Sequence, residues 1–393
     1  MMNIVVGTYE ELILGYKLDK NGDEYKFEQT FTDHSHLGCI KSAGISRKNI
    51  LATGSTDETI RLFNLKKHTE LGALMHHSGN VCNITQITFF QDSHMFSTSE
   101  DGTMCVWKNY TWECLRQFRG HKGPVNSVSV HPSGRMAITV SKDKTLRTWN
   151  LVTGRHAFIS NIKEVADWVM WSPNGEHYAV SFYYKINVYK LEDAAIHCTI
   201  QADKRINNIV FINDCIIAFG GEGGKLILYD FIQDKELESI HLKCTRIKGI
   251  SCSNFEDDQS PILIATASDG NIWAYSVDTV KGSLEQIAAH DTKFRITCLA
   301  VTPPNASKKL NKEETLVLEK LDEDLQENGE EEDQETEHVI KKDNSEQKAR
   351  KGSKGKKDAQ KRKSNSVETI TEPTSQKTKK IQRKKKKIGS AKT

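Results

Sequence analysis

No apolar run in this 393-residue chain approaches the eighteen or so residues that a membrane-spanning helix needs. The opening MMNIVVGTYEEL holds neither a basic region nor a long apolar core, so no secretory leader is expected. Cysteine is scarce and unpatterned: there are nine, an odd number, and no CxxC pair. That excludes a disulfide framework and suits small thiols buried in strands in a reducing compartment. Helical periodicity is missing as well, since no window longer than a turn shows it before the C-terminal ninety residues. These absences together predict a soluble intracellular protein without membrane partners, built from strands.

What the chain does contain is repetition. Seven times in residues 9–277 a turn, often holding an aspartate, is followed by an aromatic six residues after the aspartate position. Asp57 leads to Phe63 in GSTDETIRLFNL, Asp101 to Trp107 in STSEDGTMCVWK, Asp143 to Trp149 in SKDKTLRTWNL and Asp269 to Tyr275 in SDGNIWAYSV. Tyr189 and Tyr229 keep the aromatic without the aspartate, and Tyr16 keeps it with Glu10 in the acidic slot. From aromatic to aromatic the spacings are 47, 44, 42, 40, 40 and 46 residues. A period in the low forties, with strands that end on such an aromatic, is the signature of WD-repeat propeller blades.

Within a repeat the alternation has period two. In residues 121–151, VNSVSV, RMAITV and TLRTWNL read as strands, separated by HPSG (131–134) and SKDK. HPSG and SPNG (172–175) place Pro and Gly where a tight reversal needs them. NIVVGTYEELILGY (3–16) aligns without a gap on ILATGSTDETIRLF (50–63), so it supplies two strands of a blade that lacks its beginning. FRITCLAV (294–301) supplies a beginning that lacks its end. Sharing one blade between these two stretches closes a ring and leaves no open sheet edge. The prediction is an all-β, seven-bladed propeller over residues 1–302.

The overall charge of +3 conceals an asymmetry. Residues 1–302 carry 31 Lys and Arg against 34 Asp and Glu. In 311–340 there are 2 basic and 13 acidic residues, and in 341–393 there are 20 and 5. Blocks of one sign repel themselves and bury little, so 303–340 reads as an acidic disordered linker and 341–393 as a Lys-rich disordered tail. KGSKGKK (351–357), KRK (Lys361, Arg362, Lys363) and KKIQRKKKK, with Arg383, Lys384, Lys385, Lys386 and Lys387, read as nuclear import signals or RNA-contacting arms. No aromatics are interleaved, so contacts there would be electrostatic and salt-sensitive. The stretch 323–337 would shield this basic block or meet basic partners.

Sets that suggest catalysis dissolve into the repeat. His121, Thr139, Asp143 and Trp149 contain the groups of a triad. Near-equivalents recur as His77, Ser97, Asp101, Trp107 and as His36, Thr53, Asp57, Phe63. A set built three times at blade spacing is expected to be a buried hydrogen-bond network, with Asp269 as a further member. FGGEGGK (219–225) fails as a phosphate loop: Phe219 stands where the first Gly belongs, Leu226 replaces Ser or Thr, and strand residues follow. His76 and His77 are adjacent, but no third ligand stands at a recognisable spacing. No catalytic residue, cofactor, metal site or small-molecule substrate is predicted.

Aligned inner strands expose a less generic feature. Just before the first apolar residue stand Arg205, Arg246 and Arg295 in three successive blades, with Lys204, Lys248 and Lys293 nearby. The other four blades hold Cys39, Asn83, Pro124 and Val165 there. Trp168 opens the inner strand of blade four in a slot that Ser127 holds in blade three. One reading is a one-sided docking arc for an acidic partner or an RNA backbone. The other is three solvated arginines paired with neighbouring carboxylates and a tryptophan that completes a blade contact.

GALMHHSG (72–79), HKGPVNSVSVHPSGRMA (121–137), DKTLRTWNLVTGR (143–155) and WSPNGE (171–176) resemble the p21-activated-kinase-interacting WD-repeat proteins, a family shared between animals and yeast. The likeness runs through the predicted propeller and into the Lys-rich tail, and the arginines of blades five to seven fit it. The resemblance implies a non-enzymatic adaptor of the nucleus and nucleolus that helps to mature the large (60S) ribosomal subunit. Its partners would be pre-60S proteins and rRNA, together with the regulatory region of p21-activated kinases, whose activation it would restrain. The alternative is a cytoplasmic signalling adaptor that inhibits a kinase, with the tail incidental.

Overall fold

A computed structural model describes residues 2–303 apart from 23, 78–82 and 255–259. The acidic and Lys-rich segments, with the candidate import residues 361–363 and 383–387, lie outside the described residues. Among those described, every regular element is a strand, and the strands form seven four-stranded antiparallel sheets. No helix there is long and apolar enough to cross a membrane.

The inner strands of blades one to six are Ile40–Ile45, Ile84–Phe90, Val125–Val130, Trp168–Trp171, Ile206–Phe211 and Ile247–Asn254, each followed outward by its next three strands in chain order. Blade seven is composite: inner Ile296–Val301, then Met2–Thr8, Ile13–Asn21 and Glu24–Asp33. Ile4 opposes Val301 and Thr8 opposes Ile296, so the two ends of the propeller close the ring as the repeat alignment predicts.

Burial follows position within a blade. The second strands are covered on both faces, as in His94–Ser99 and Ile216–Gly221, where every residue is buried. Fourth strands such as Thr69–Leu74 and Arg155–Asn161 face solvent. The apolar clusters lie between neighbouring blades. Ile4, Leu14 and Tyr16 of blade seven pack on Ile262, Ile264 and Ile272 of blade six, and Phe96 and Val106 of blade two pack on Val128 and Trp149 of blade three. A fully buried Leu or Ile contributes about 1.5–3 kcal/mol, so the ring coheres sideways by apolar burial.

A second set of contacts laces the ring near its axis. In six blades the inner strand slips register by one residue at the same place, passing over Lys41, Thr85, Asn126, Asn207, Lys248 and Thr297. A bulge leaves its extra residue out of the ladder. Four of those side chains bond the next blade: Thr85 Oγ1 donates to the Val125 carbonyl at 2.6 Å, Asn126 Nδ2 to Ala166 at 2.8 Å and Asn207 Nδ2 to Ile247 at 2.9 Å. Thr297 Oγ1 of blade seven donates likewise to Ile40. Lysines stand at the bulges of blades one and six instead.

Candidate docking surface at the channel mouth

The aspartate turns and the starts of the inner strands share one end of the ring, here called the upper face. The repeated network braces it. In blade three Trp149 Nε1–H donates to Thr139 Oγ1 at 2.8 Å, and Thr139 lies 2.8 Å from His121 Nε2. His121 Nδ1 lies 3.0 Å from Asp143 Oδ2, which also accepts from the Lys122 amide at 2.9 Å. Asp143 Oδ1 takes the Thr145 amide and hydroxyl at 2.9 and 2.6 Å. One tautomer satisfies all of it: Nδ1–H donates to the carboxylate, and Nε2 accepts from a hydroxyl that accepts from the indole. Blade two repeats it through Trp107, Ser97, His77 and Asp101, and blade one through Thr53, His36 and Asp57, with Phe63 having no N–H to give.

The electrostatics agree with that tautomer. Burial lowers the His36 and His121 imidazoles below the usual value despite the pull of Asp57 and Asp143. Burial alone would raise Asp143, but bonds from Thr145, the Lys122 amide and His121 outweigh it and hold the carboxyl at about 2. Asp269 departs from the pattern. It is exposed, has no histidine, and accepts only from Thr245 and Ser268. The turn survives in blade six and the network does not.

The glycines of residues 219–225 have a steric role in blade five. A Cβ on Gly221 would meet the Arg205 carbonyl at 1.9 Å, and Gly223 and Gly224 have φ of +80° and +70°. They form the turn between Ile216–Gly221 and Lys225–Asp230.

The three arginines share the upper face, each with a local partner. Arg205 reaches Asp167 at 3.4 Å and lies over the Tyr183 ring at 4.7 Å. Arg246 reaches Glu222 at 3.3 Å, and Arg295 lies over Tyr9 at 5.0 Å. Arg295 also donates its amide to Glu10, which acts as the acid of the composite blade. Lys204 and Lys293 are exposed on the same rim. Trp168 is half-buried, packs on the cluster between blades four and five and lines the channel. Arg205 and Arg246 therefore pair with neighbouring carboxylates and Arg295 with a ring, and all three still reach solvent.

Strand alignment placed Lys248 beside the arc and missed Lys41. Lys248 and Lys41 line the mouth of a central channel of about 410 Å³, together with Gln86, Trp168 and Asn208. Burial first, then Arg246, Lys41, Arg205 and Arg295, push the Lys248 ammonium below its usual value. No carboxylate pairs with Lys41 or Lys248 among the described residues. The absence of Thr or Asn at those two bulge positions was the available signal. Around the mouth Tyr9, Leu37, Val165, Tyr183, Tyr184 and Phe294 are exposed. Arg and Tyr, the residue types that most often anchor protein interfaces, thus stand beside exposed apolar groups around Lys41 and Lys248.

The profile of the "WD domain, G-beta repeat" matches residues 69–108 and 112–150. The chain is 39% identical over 309 residues to "p21-activated protein kinase-interacting protein 1-like" of Danio rerio, covering 78% of this chain and 82% of that one. It belongs to the family of the p21-activated protein kinase-interacting protein 1. The human member is 34% identical over 76% of this chain and 77% of its own. Protein MAK11 of Saccharomyces cerevisiae is 27% identical over 78% of this chain and 84% of its own. Kinship with these WD-repeat proteins agrees with the fold, which typically serves as a non-catalytic scaffold.

Proposed function

We propose that this protein is a non-enzymatic adaptor for maturation of the large (60S) ribosomal subunit, working in the nucleolus. Its upper face would capture acidic segments of pre-60S proteins. The cationic channel mouth carries this reading: among the described residues Lys41 and Lys248 have no carboxylate partner, and they lie inside an arc of Arg205, Arg246 and Arg295. The Lys-rich segment 341–393 would deliver the chain to the nucleus and add salt-sensitive contacts to rRNA. The names of its relatives favour a second role, in which the same face holds the regulatory region of a p21-activated kinase and restrains signalling. In the cytoplasmic alternative that second role stands alone.

Recovery of partners from nuclear extract at low and moderate salt tests this. Large-subunit proteins and precursor rRNA are expected with the full-length chain. Arg205→Glu, Arg246→Glu and Arg295→Glu combined should abolish protein recovery while leaving the fold intact, because each exposed pair contributes only about 0–1 kcal/mol. Unchanged recovery by the triple variant removes the arc from the reading. Recovery of a kinase without ribosomal precursors moves it to the cytoplasmic alternative.

A further inference from the structure

Blades one, two and three provide a comparison internal to the chain. Each carries the His–Asp network, and in each three further positions converge beside it. The first immediately precedes the network histidine: Ser35, His76 and Gly120. The second, opposite the network hydroxyl in the sheet, is Arg61, Cys105 and Arg147. The third, opposite the repeat aromatic, is Glu70, Cys114 and His156. In blade one the second and third positions form an ion pair, with Arg61 Nη1 at 2.6 Å from Glu70 Oε1. In blade three a Cβ on Gly120 would stand 2.6 Å from Arg147 Nη1 and 3.3 Å from Trp149, which shows that the first position faces the second.

Blade two fills all three positions at once with metal-ligating groups. A ligand nitrogen of His76 and the sulfurs of Cys105 and Cys114 lie within 4.8 Å of one another. The adjacent-histidine spacing gave no third ligand, because the two thiols arrive from neighbouring strands and not from nearby sequence. We infer that His76, Cys105 and Cys114 form a binding site for a thiophilic cation, Zn(II), with a fourth position open to water or to a partner's side chain.

The chemistry fits the ligand set. Two thiolates and an imidazole make a borderline-soft tetrahedral shell suited to Zn(II). Zn–S bonds of about 2.3 Å and Zn–N bonds of about 2.0 Å put tetrahedral ligands roughly 3.5–3.8 Å apart, so the set closes by about 1 Å on binding. His76 is exposed and gives the ion a path in, whereas Cys105 is buried and half-buried Cys114 stands on the adjacent strand. The His76 ring meets Trp107 edge-on at 5.6 Å, which restricts its orientation. Cys105 Sγ also lies 3.9 Å from His77 Nδ1, whose ring is held by Asp101, so the site is backed by a braced second layer. On binding, each thiol releases its proton to solvent and the imidazole binds as the neutral base. The site stands apart from the channel mouth and does not depend on what docks there.

Titration of the reduced, chelator-stripped full-length protein with Co(II), followed by Zn(II), tests the inference. One equivalent of Co(II) should bind with thiolate-to-metal charge-transfer absorption in the near ultraviolet, and Zn(II) should displace it. Cys114→Ser should weaken binding at least about 10-fold, the lower bound for loss of a supporting group. His76→Ser should keep thiolate absorption with reduced affinity, and Cys215→Ser, at an exposed thiol elsewhere, should change nothing. Thermal unfolding of each metal-free variant separates loss of the site from loss of the fold, and Cys114→Ser carries the test if a Cys105 variant does not fold. An absent charge-transfer band, or one untouched by Cys114→Ser, overturns the site. So does a protein whose two thiols cross-link to each other yet bind no Zn(II) after reduction.

Discussion

Blades one to three and blades four to six hold the same four-stranded sheet by different means. The first group uses a buried relay of hydroxyl, imidazole and carboxylate, completed in blades two and three by an indole. The second has lost the imidazole: blade four puts Tyr183 where the aspartate would stand, blade five puts Gly223 there, and blade six keeps an exposed Asp269. The sheets persist because apolar clusters join neighbouring blades in both groups. Where the relay is gone, the upper turns carry groups that face solvent. Tyr183 and Glu222 then serve the arginines of the next blades. Polar satisfaction in one half and the proposed docking rim in the other occupy the same positions of the repeat.

Removing the aspartate from each half should give the largest difference between them. Asp143→Ala strands His121, Thr145 and two amides and should cost about 3 kcal/mol in chemical denaturation. Asp269→Ala, at an exposed turn, should cost about 1 kcal/mol or less. Equal losses would show that the two halves are not braced differently.

Acid should probe the same distinction more gently. His36 and His121 sit below their unfolded value, so protonating them opposes folding, and stability should fall as pH drops through about 6.5. Asp57, Asp101 and Asp143 are also depressed, so their contribution is full above about 4 and is lost as pH falls toward 2. Denaturation midpoints measured from pH 7 to 3 should decline steadily, and His121→Asn should flatten the upper part of the slope. A stability maximum near pH 5 would contradict the neutral-imidazole assignment.

The lacing near the axis gives the smaller tests. Asn126→Ala removes the bond to Ala166 and should cost about 1 kcal/mol. Lys41→Thr copies the blade-two arrangement into blade one and should raise stability by about 0.5–1 kcal/mol while weakening capture of acidic partners. A stabilised variant that binds as well as the parent would remove Lys41 from the docking surface.

Much of this was legible in residue order. The aromatic spacing named the blades, the gapless match of 3–16 on 50–63 placed the closing strands, and recurrence turned a triad-like set into a brace. The arc of Arg205, Arg246 and Arg295 was readable because it repeats at blade spacing. Lys41 and the three ligands of blade two were not. A bulge is visible only once two strands are paired, and His76, Cys105 and Cys114 become neighbours only through that pairing.

Period, blade count and the place of ring closure follow from residue order, because each blade writes its own alternation, turns and terminal aromatic locally. Which side chains face the axis, which described cations lack a carboxylate and which thiols meet emerge from the assembled ring. Those outcomes depend on register slips and on the packing of one blade against the next, and neither is a property of any single repeat.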